Sequence, residues 1–164
     1  MAAMHRTKAS FGSSLDHIVT VPPGPDGRPG AQMHAFSRSG HQPRITTDNC
    51  REDFTCVLSR NTSVLKSVCL GTVEERGDPR VATEKTLEGL GSRPGMSYIA
   101  PTETTMCGEA AIRYELIFPR ARLIEWKFAR EDWLFVVGIL CQPADPLLEI
   151  ELKGRCCLDT WVWL

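Results

Sequence analysis

The residues of this chain best suited to chemistry are its seven cysteines, Cys50, Cys56, Cys69, Cys107, Cys141, Cys156 and Cys157. A thiolate is a nucleophile and a soft-metal ligand, and two thiols in reach of each other are a disulfide. Zinc sites draw on Cys and His at short spacings such as Cys-x2-Cys. No such spacing occurs here, and no histidine follows His41, so neither a metal nor another cofactor is expected. The favoured reading is of small buried side chains with some disulfides among them. Cys50 or Cys56 with Cys69 would staple a first hairpin, and Cys107 with Cys141 or Cys157 would tie sheet to helix. An odd number of thiols leaves one over. The adjacent pair Cys156 and Cys157 is too constrained to bridge its own members.

A cysteine nucleophile needs a base within hydrogen-bond reach and a lowered pKa. Cys107, beside Gly108, has the most suggestive setting, with His17, His34 or His41 as the bases on offer. Ser63 and Lys66 fit Ser-x-x-Lys, but a strand separates the two awkwardly and the companion motifs are missing. The string 89–95 (GLGSRPG) lacks the preceding strand and following Lys-Ser/Thr of a phosphate loop and reads as a helix stop and turn. Glu74, Glu75, Glu84 and Glu88 form a candidate acidic patch, and Arg120, Arg122 and Arg130 a basic one; solvated faces explain both. Asn61-Thr62-Ser63 is a glycosylation sequon, meaningful in an exported eukaryotic protein. Trp126, Trp133, Trp161 and Trp163 would line a groove or, more commonly, a core. No catalytic constellation emerges.

Composition narrows the field further. The 164 residues suit one core, with 42% hydrophobic residues, 24% charged and a net charge of -1. That charge supplies no field for phosphates or anionic lipid, so nucleic acid is excluded as an expected partner. A membrane helix needs about 18 apolar residues. The longest apolar run, 133–141, has nine and contains Gly138, so no transmembrane segment is expected. The first 21 residues carry no apolar stretch of seven or more and do not read as a secretory signal. The cysteine count favours an oxidising compartment. Location is therefore read as exported or cell-envelope if a leader precedes Met1, and cytoplasmic otherwise.

These residues must be held by elements legible in the pattern. Residues 1–50 hold ten Gly or Pro and two of the twelve aromatics. They read as an N-terminal segment, partly disordered, with 17–22 as a first strand and 22–30 as a loop. Residues 51–164 read as one α+β domain with an antiparallel sheet. Within it, 54–58 and 65–73 form a hairpin. Asp78 caps a helix that begins at Pro79 and runs through Leu90, with Val81, Leu87 and Leu90 facing the sheet. Two alternating strands follow, Ile112, Tyr114, Leu116 and Phe118 in one, Ile124, Trp126 and Phe128 in the next. They are expected to pair with one apolar and one polar face, covered on one side only. The apolar run 133–141 suits a central strand. Residues 146–158 fit two readings, a strand in which Leu148, Ile150 and Leu152 alternate with Glu149, Glu151 and Lys153, and a helix opened by Pro146 in which Gly154 costs about 1 kcal/mol.

The succession CGEAAIRYELIF, LIEWKF, WLFVVGILC, QPADPLLE and LDTWVWL resembles the PsbP-like fold of small actinobacterial lipoproteins and exported proteins. HIVTVPPGP is similar to that fold's opening strand and Pro-rich turn. The resemblance implies a helix over 146–158 packed on the sheet, a short last strand over 160–164 and an α/β sandwich used as a binding or accessory module, and it carries over no functional residue. The expected function is a non-catalytic binding or accessory domain whose partner is a protein or an apolar small ligand. A small thiol-dependent enzyme using Cys107, and a cytosolic interaction domain with a disordered N-terminal arm, are the alternatives.

Overall fold

A computed structural model describes residues 15–36, 44–48, 51–59, 63–143 and 145–164, with the backbone alone at 15–17, 36, 44–48, 51–57 and 59. The chain runs β1 (Leu15–Val21), β2 (Ala31–Phe36), β3 (Arg44–Asp48), β4 (Arg51–Ser59), β5 (Ser63–Thr72), α1 (Val73–Arg76), α2 (Pro79–Leu90) and β6 (Ser97–Met106). It continues through β7 (Glu109–Phe118), β8 (Ala121–Arg130), β9 (Trp133–Cys141), α3 (Leu147–Leu158) and β10 (Val162–Trp163). Every strand pairing is antiparallel. A seven-stranded sheet has the order β3-β4-β5-β9-β8-β7-β6, and a three-stranded one the order β1-β2-β10. The chain is an α+β protein built on antiparallel sheet.

The expected hairpins and helices are present. β9 lies between β5 and β8, as its unbroken apolar run demands, since both of its faces are shielded. Asp78 accepts from the Val81 amide at 2.9 Å and Pro79 occupies the first turn, so α2 begins where its signals place it. The β6–β7 turn is Cys107-Gly108, with φ of 53° and 81°. Both central residues of a type I′ hairpin need positive φ, a conformation that glycine adopts freely and cysteine rarely.

The register of β7 on β8 corrects the expectation of one apolar and one polar face. Arg113 pairs with Trp126, Glu115 with Ile124, Tyr114 with Glu125 and Ile112 with Lys127. Partners across a ladder point to the same face, so the apolar runs of the two strands lie on opposite faces. Both faces are covered as a result. On one, Ile124, Trp126, Phe128, Phe135, Val137 and Ile139 pack with Met33 and Ala35 of β2 and with Ile150, Cys157 and Leu158 of α3. On the other, Tyr114 and Leu116 pack with Leu87 of α2. Glu115 and Lys127, expected to face water, are buried.

Two further corrections concern the helices. α2 buries Ala82, Thr83 and Leu87, while Val81 is 38% exposed, because the Lys127 side chain draws the Ala82–Thr86 side of the helix onto the sheet. In α3, Ile150, Gly154, Cys157 and Leu158 are buried at the spacing of one helical face, which turns Leu148 and Leu152 outward. A Cβ on Gly154 would meet Ile139 Cδ1 at 2.4 Å, so the glycine that weakens the helix also lets it approach β9.

Candidate functional site

α2 lies over β7 and β8 and is fastened there by a buried cation. Lys127 Nζ donates to the Ala82 carbonyl at 3.1 Å and to the Thr86 hydroxyl, and sits 5.2 Å from the centre of the Tyr114 ring. The Tyr114 hydroxyl donates to Glu125 on the neighbouring strand. Burial pushes the Lys127 pKa down, with the Glu125 carboxylate opposing, and pushes Tyr114 up, with Glu125 adding to the shift. A charge out of water needs this pairing and hydrogen bonding to persist.

Between α2 and the edge strand β6 the surface opens into a groove of about 600 Å3. Its apolar lining includes Leu87, Ile112 and Tyr98, the last 49% exposed. Glu84 and Glu88 stand on the helix side, and Arg80 bridges to Glu103 of β6. β6 pairs only with β7 and is exposed along most of its length, so its outer edge faces solvent among the described residues. Pro101 and a register shift between Ile99 and Thr102 interrupt the strand. A volume of this size lies in the range of binding clefts, and an apolar lining with a few charges at the rim is their usual chemistry.

The cysteines fall elsewhere. Cys107 lies at the β6–β7 turn beside a depression of about 390 Å3 shared with Arg155 and Asp159. Its carbonyl accepts from the Trp163 indole at 2.9 Å. Burial, then the Asp159 and Glu109 carboxylates, push its thiol far above the ordinary range. Among the described residues no base is hydrogen-bonded to that thiol. His34, one of the expected bases, sits on β2 with its amide bonded to Thr160 Oγ1 at 2.7 Å; the His17 side chain and His41 lie outside the described residues. Such a setting protects a thiol from ionising, the reverse of what nucleophilic catalysis needs.

Cys107, Cys141 and Cys156 carry free thiols, and no disulfide is seen among the described residues. The sheet-to-helix bridges from Cys107 to Cys141 or Cys157 are therefore not formed. The bridge from Cys69 to Cys50 or Cys56 involves positions outside the described side chains, as do Asn61 and Thr62 of the sequon. Cys141 is pushed up to about 11, by burial first and by Asp145 next. Ser63 and Lys66 take opposite faces of β5, with Ser63 buried and donating to Asp145, so Ser-x-x-Lys is not assembled. Arg122 and Arg130 are ion-paired to Glu115 and Glu109 rather than forming a basic patch. No group of three His, Cys, Asp or Glu is placed to hold a metal among the described residues, and no described helix is long and apolar enough to cross a membrane. Between the two sheets lies a void of only about 30 Å3. The sequence signals missed the groove because it joins residues 80–91 to residues 98–112 through sheet order, which no local pattern encodes.

Comparison with known proteins adds the fold and stops there. No family model matches the chain, and no curated protein matches it. Among solved structures it is similar to PA94 of Pseudomonas aeruginosa, a protein of unknown function. The identity is 12% and the TM-score 0.51, over 85% of this chain and 93% of that chain. It is also similar to LpqN of Mycobacterium tuberculosis, which is involved in cell envelope biogenesis. Here the identity is 10% and the TM-score 0.44, over 90% of this chain and 79% of that one. At 12% identity the likeness to PA94 speaks for the fold and not for the chemistry.

Proposed function

We propose that this chain is a non-catalytic binding or accessory domain of the PsbP-like kind that holds its partner in the groove between α2 and β6. The observation that carries this reading is the groove itself, about 600 Å3 with Leu87, Ile112 and Tyr98 in its lining and an open strand edge beside it. The state of Cys107 supports it, because a thiol held protonated by burial and by two carboxylates is a poor nucleophile. A cell-envelope or exported location belongs to the proposal through the PsbP-like resemblance and the cysteine count.

The test pairs a binding screen with a turnover screen. Small aromatic and aliphatic fragments are titrated into the full chain and followed by ligand-observed NMR, for the natural sequence and for Tyr98→Ala. Tyr98 is exposed, so the variant keeps its core. Fragments that bind the natural chain and release from Tyr98→Ala support the reading. Turnover of a generic ester, thiol or phosphate substrate that vanishes in Cys107→Ala overturns it in favour of a thiol enzyme.

A further inference from the structure

Resting on that reading of the groove, we infer that its occupant is an extended peptide segment of alternating apolar and basic residues, laid along the free edge of β6. An edge strand presents unpaired amides and carbonyls, and adding a strand to such an edge is a general mode of peptide recognition. Among the described residues β6 has this edge open to solvent over most of its length. The backbone ladder supplies affinity, and side chains on alternate positions of the added strand enter the space beside it. Here that space is the groove of about 600 Å3 under α2, where Tyr98 and Ile112 receive apolar side chains.

Charge decides the polar positions. Arg80 and Glu103 satisfy each other, which leaves Glu84 and Glu88, one helical turn apart on the groove side of α2, as a pair with no cation bridged to it among the described residues. Lysine or arginine on the incoming strand answers them, and aspartate or glutamate is repelled. The same charges argue against a second copy of this chain, since two acidic rims would meet. Pro101 supplies no amide hydrogen, and the register shifts between Ile99 and Thr102. A long continuous pairing with another sheet is therefore broken, while a short segment seated on 97–99 or 102–106 is accommodated.

The experiment measures fluorescence anisotropy of labelled peptides of roughly eight residues, near the upper range of strand length, against the full chain. One peptide alternates Val with Lys, a second alternates Val with Glu, and a third is the Val-Lys peptide with N-methylated amides along one edge. The Val-Lys peptide binds, and the Val-Glu peptide binds weaker by about tenfold or more. N-methylation also weakens binding by about tenfold, because the ladder cannot form. Glu84→Lys with Glu88→Lys, both exposed positions, reverses the preference. Equal affinity for the Val-Lys and Val-Glu peptides overturns the inference, as does an N-methylated peptide that binds like its parent. Self-association through β6 that the peptide cannot displace also overturns it. If no peptide binds while fragments still distinguish the natural chain from Tyr98→Ala, the peptide assignment falls and the groove reading stands.

Discussion

Arg113 stands directly across the β7–β8 ladder from Trp126, with its guanidinium carbon 5.7 Å from the centre of the indole ring. The same guanidinium reaches Glu115 at 2.7 Å and Glu151 of α3 at 3.3 Å. One cation thus joins a fully buried ring, a strand carboxylate and a helix carboxylate, and it lies where α3 crosses the sheet. Partly desolvated cation–π contacts contribute about 1–2 kcal/mol, and the carboxylates orient the fork.

Glu115 is the hinge of that network, since it also pairs with Arg122 and its side chain is only 7% exposed. Glu115→Ala leaves two guanidinium groups without their shared acceptor. Breaking a buried pair from one side costs about 3–5 kcal/mol, and the partial exposure of both arginines puts this case near the lower end. Urea denaturation is expected to show a loss of about 3 kcal/mol. A change below about 1 kcal/mol would mean that the network behaves as a surface ion pair.

Gly154→Ala sets two effects against each other. Alanine favours a helix by about 1 kcal/mol over glycine, but its Cβ meets Ile139 Cδ1 at 2.4 Å and Cγ1 at 3.2 Å, and Ile139 is fully buried. Overpacking of that kind costs about 1–3 kcal/mol. The net expectation in the same denaturation assay is a destabilisation of about 1 kcal/mol, and a stabilised variant would show that α3 has room to move off β9.

The hairpin strands β4, β5, β7 and β8, the apolar β9 and helix α2 were legible because each carries its own local signal, whereas β3, α1 and β6 were not read from the sequence and α3 was read through the resemblance. Period-two alternation in β7 and β8, the Asp78-Pro79 start of α2 and the apolar run of β9 are contained within about a dozen residues each. The register that sets Arg113 across from Trp126 is not contained in either strand. A slip of one residue between the strands exchanges the rows that share a face, and each strand carries an apolar row, so alternation alone leaves open which rows share a face. The buried roles of Glu115 and Lys127 follow from that choice and were unreadable for the same reason. The groove depends in addition on β6 being an edge, a property of sheet order.

Alkaline pH is expected to weaken the fold. In the folded chain Cys141 holds its proton up to about 11, whereas its ordinary value is 9.0. Its contribution is complete below pH 9 and is lost as pH rises towards 11, because the unfolded chain releases the proton first. Cys107 and Tyr114, both pushed up by burial, act in the same direction. Lys127, pushed down, acts oppositely, its buried charge being relieved as pH rises. The two thiols, whose ordinary value of 9.0 lies inside the alkaline interval, set the expected sign. Urea midpoints should fall between about pH 8 and pH 10.5, less steeply in Cys141→Ala. A midpoint that rises over this interval would place Lys127 in control.

Thiol reactivity follows burial. Cys156 is exposed, Cys107 is partly covered and Cys141 is 2% exposed. Iodoacetamide at neutral pH, followed by peptide mapping, should label Cys156 first, with Cys107 and Cys141 slow. Fast labelling of Cys107 would show an activated thiol and revive the enzymatic alternative.

The groove between α2 and β6 is most directly tested by mapping amide shifts of the isotope-labelled full chain as the Val-Lys peptide is added. Saturable shifts centred on Glu84, Glu88, Tyr98 and Thr102, with little change at Cys107 and Leu148, are the predicted result. Shifts centred on the outward Leu148 and Leu152 of α3, or on the depression beside Cys107, would contradict it.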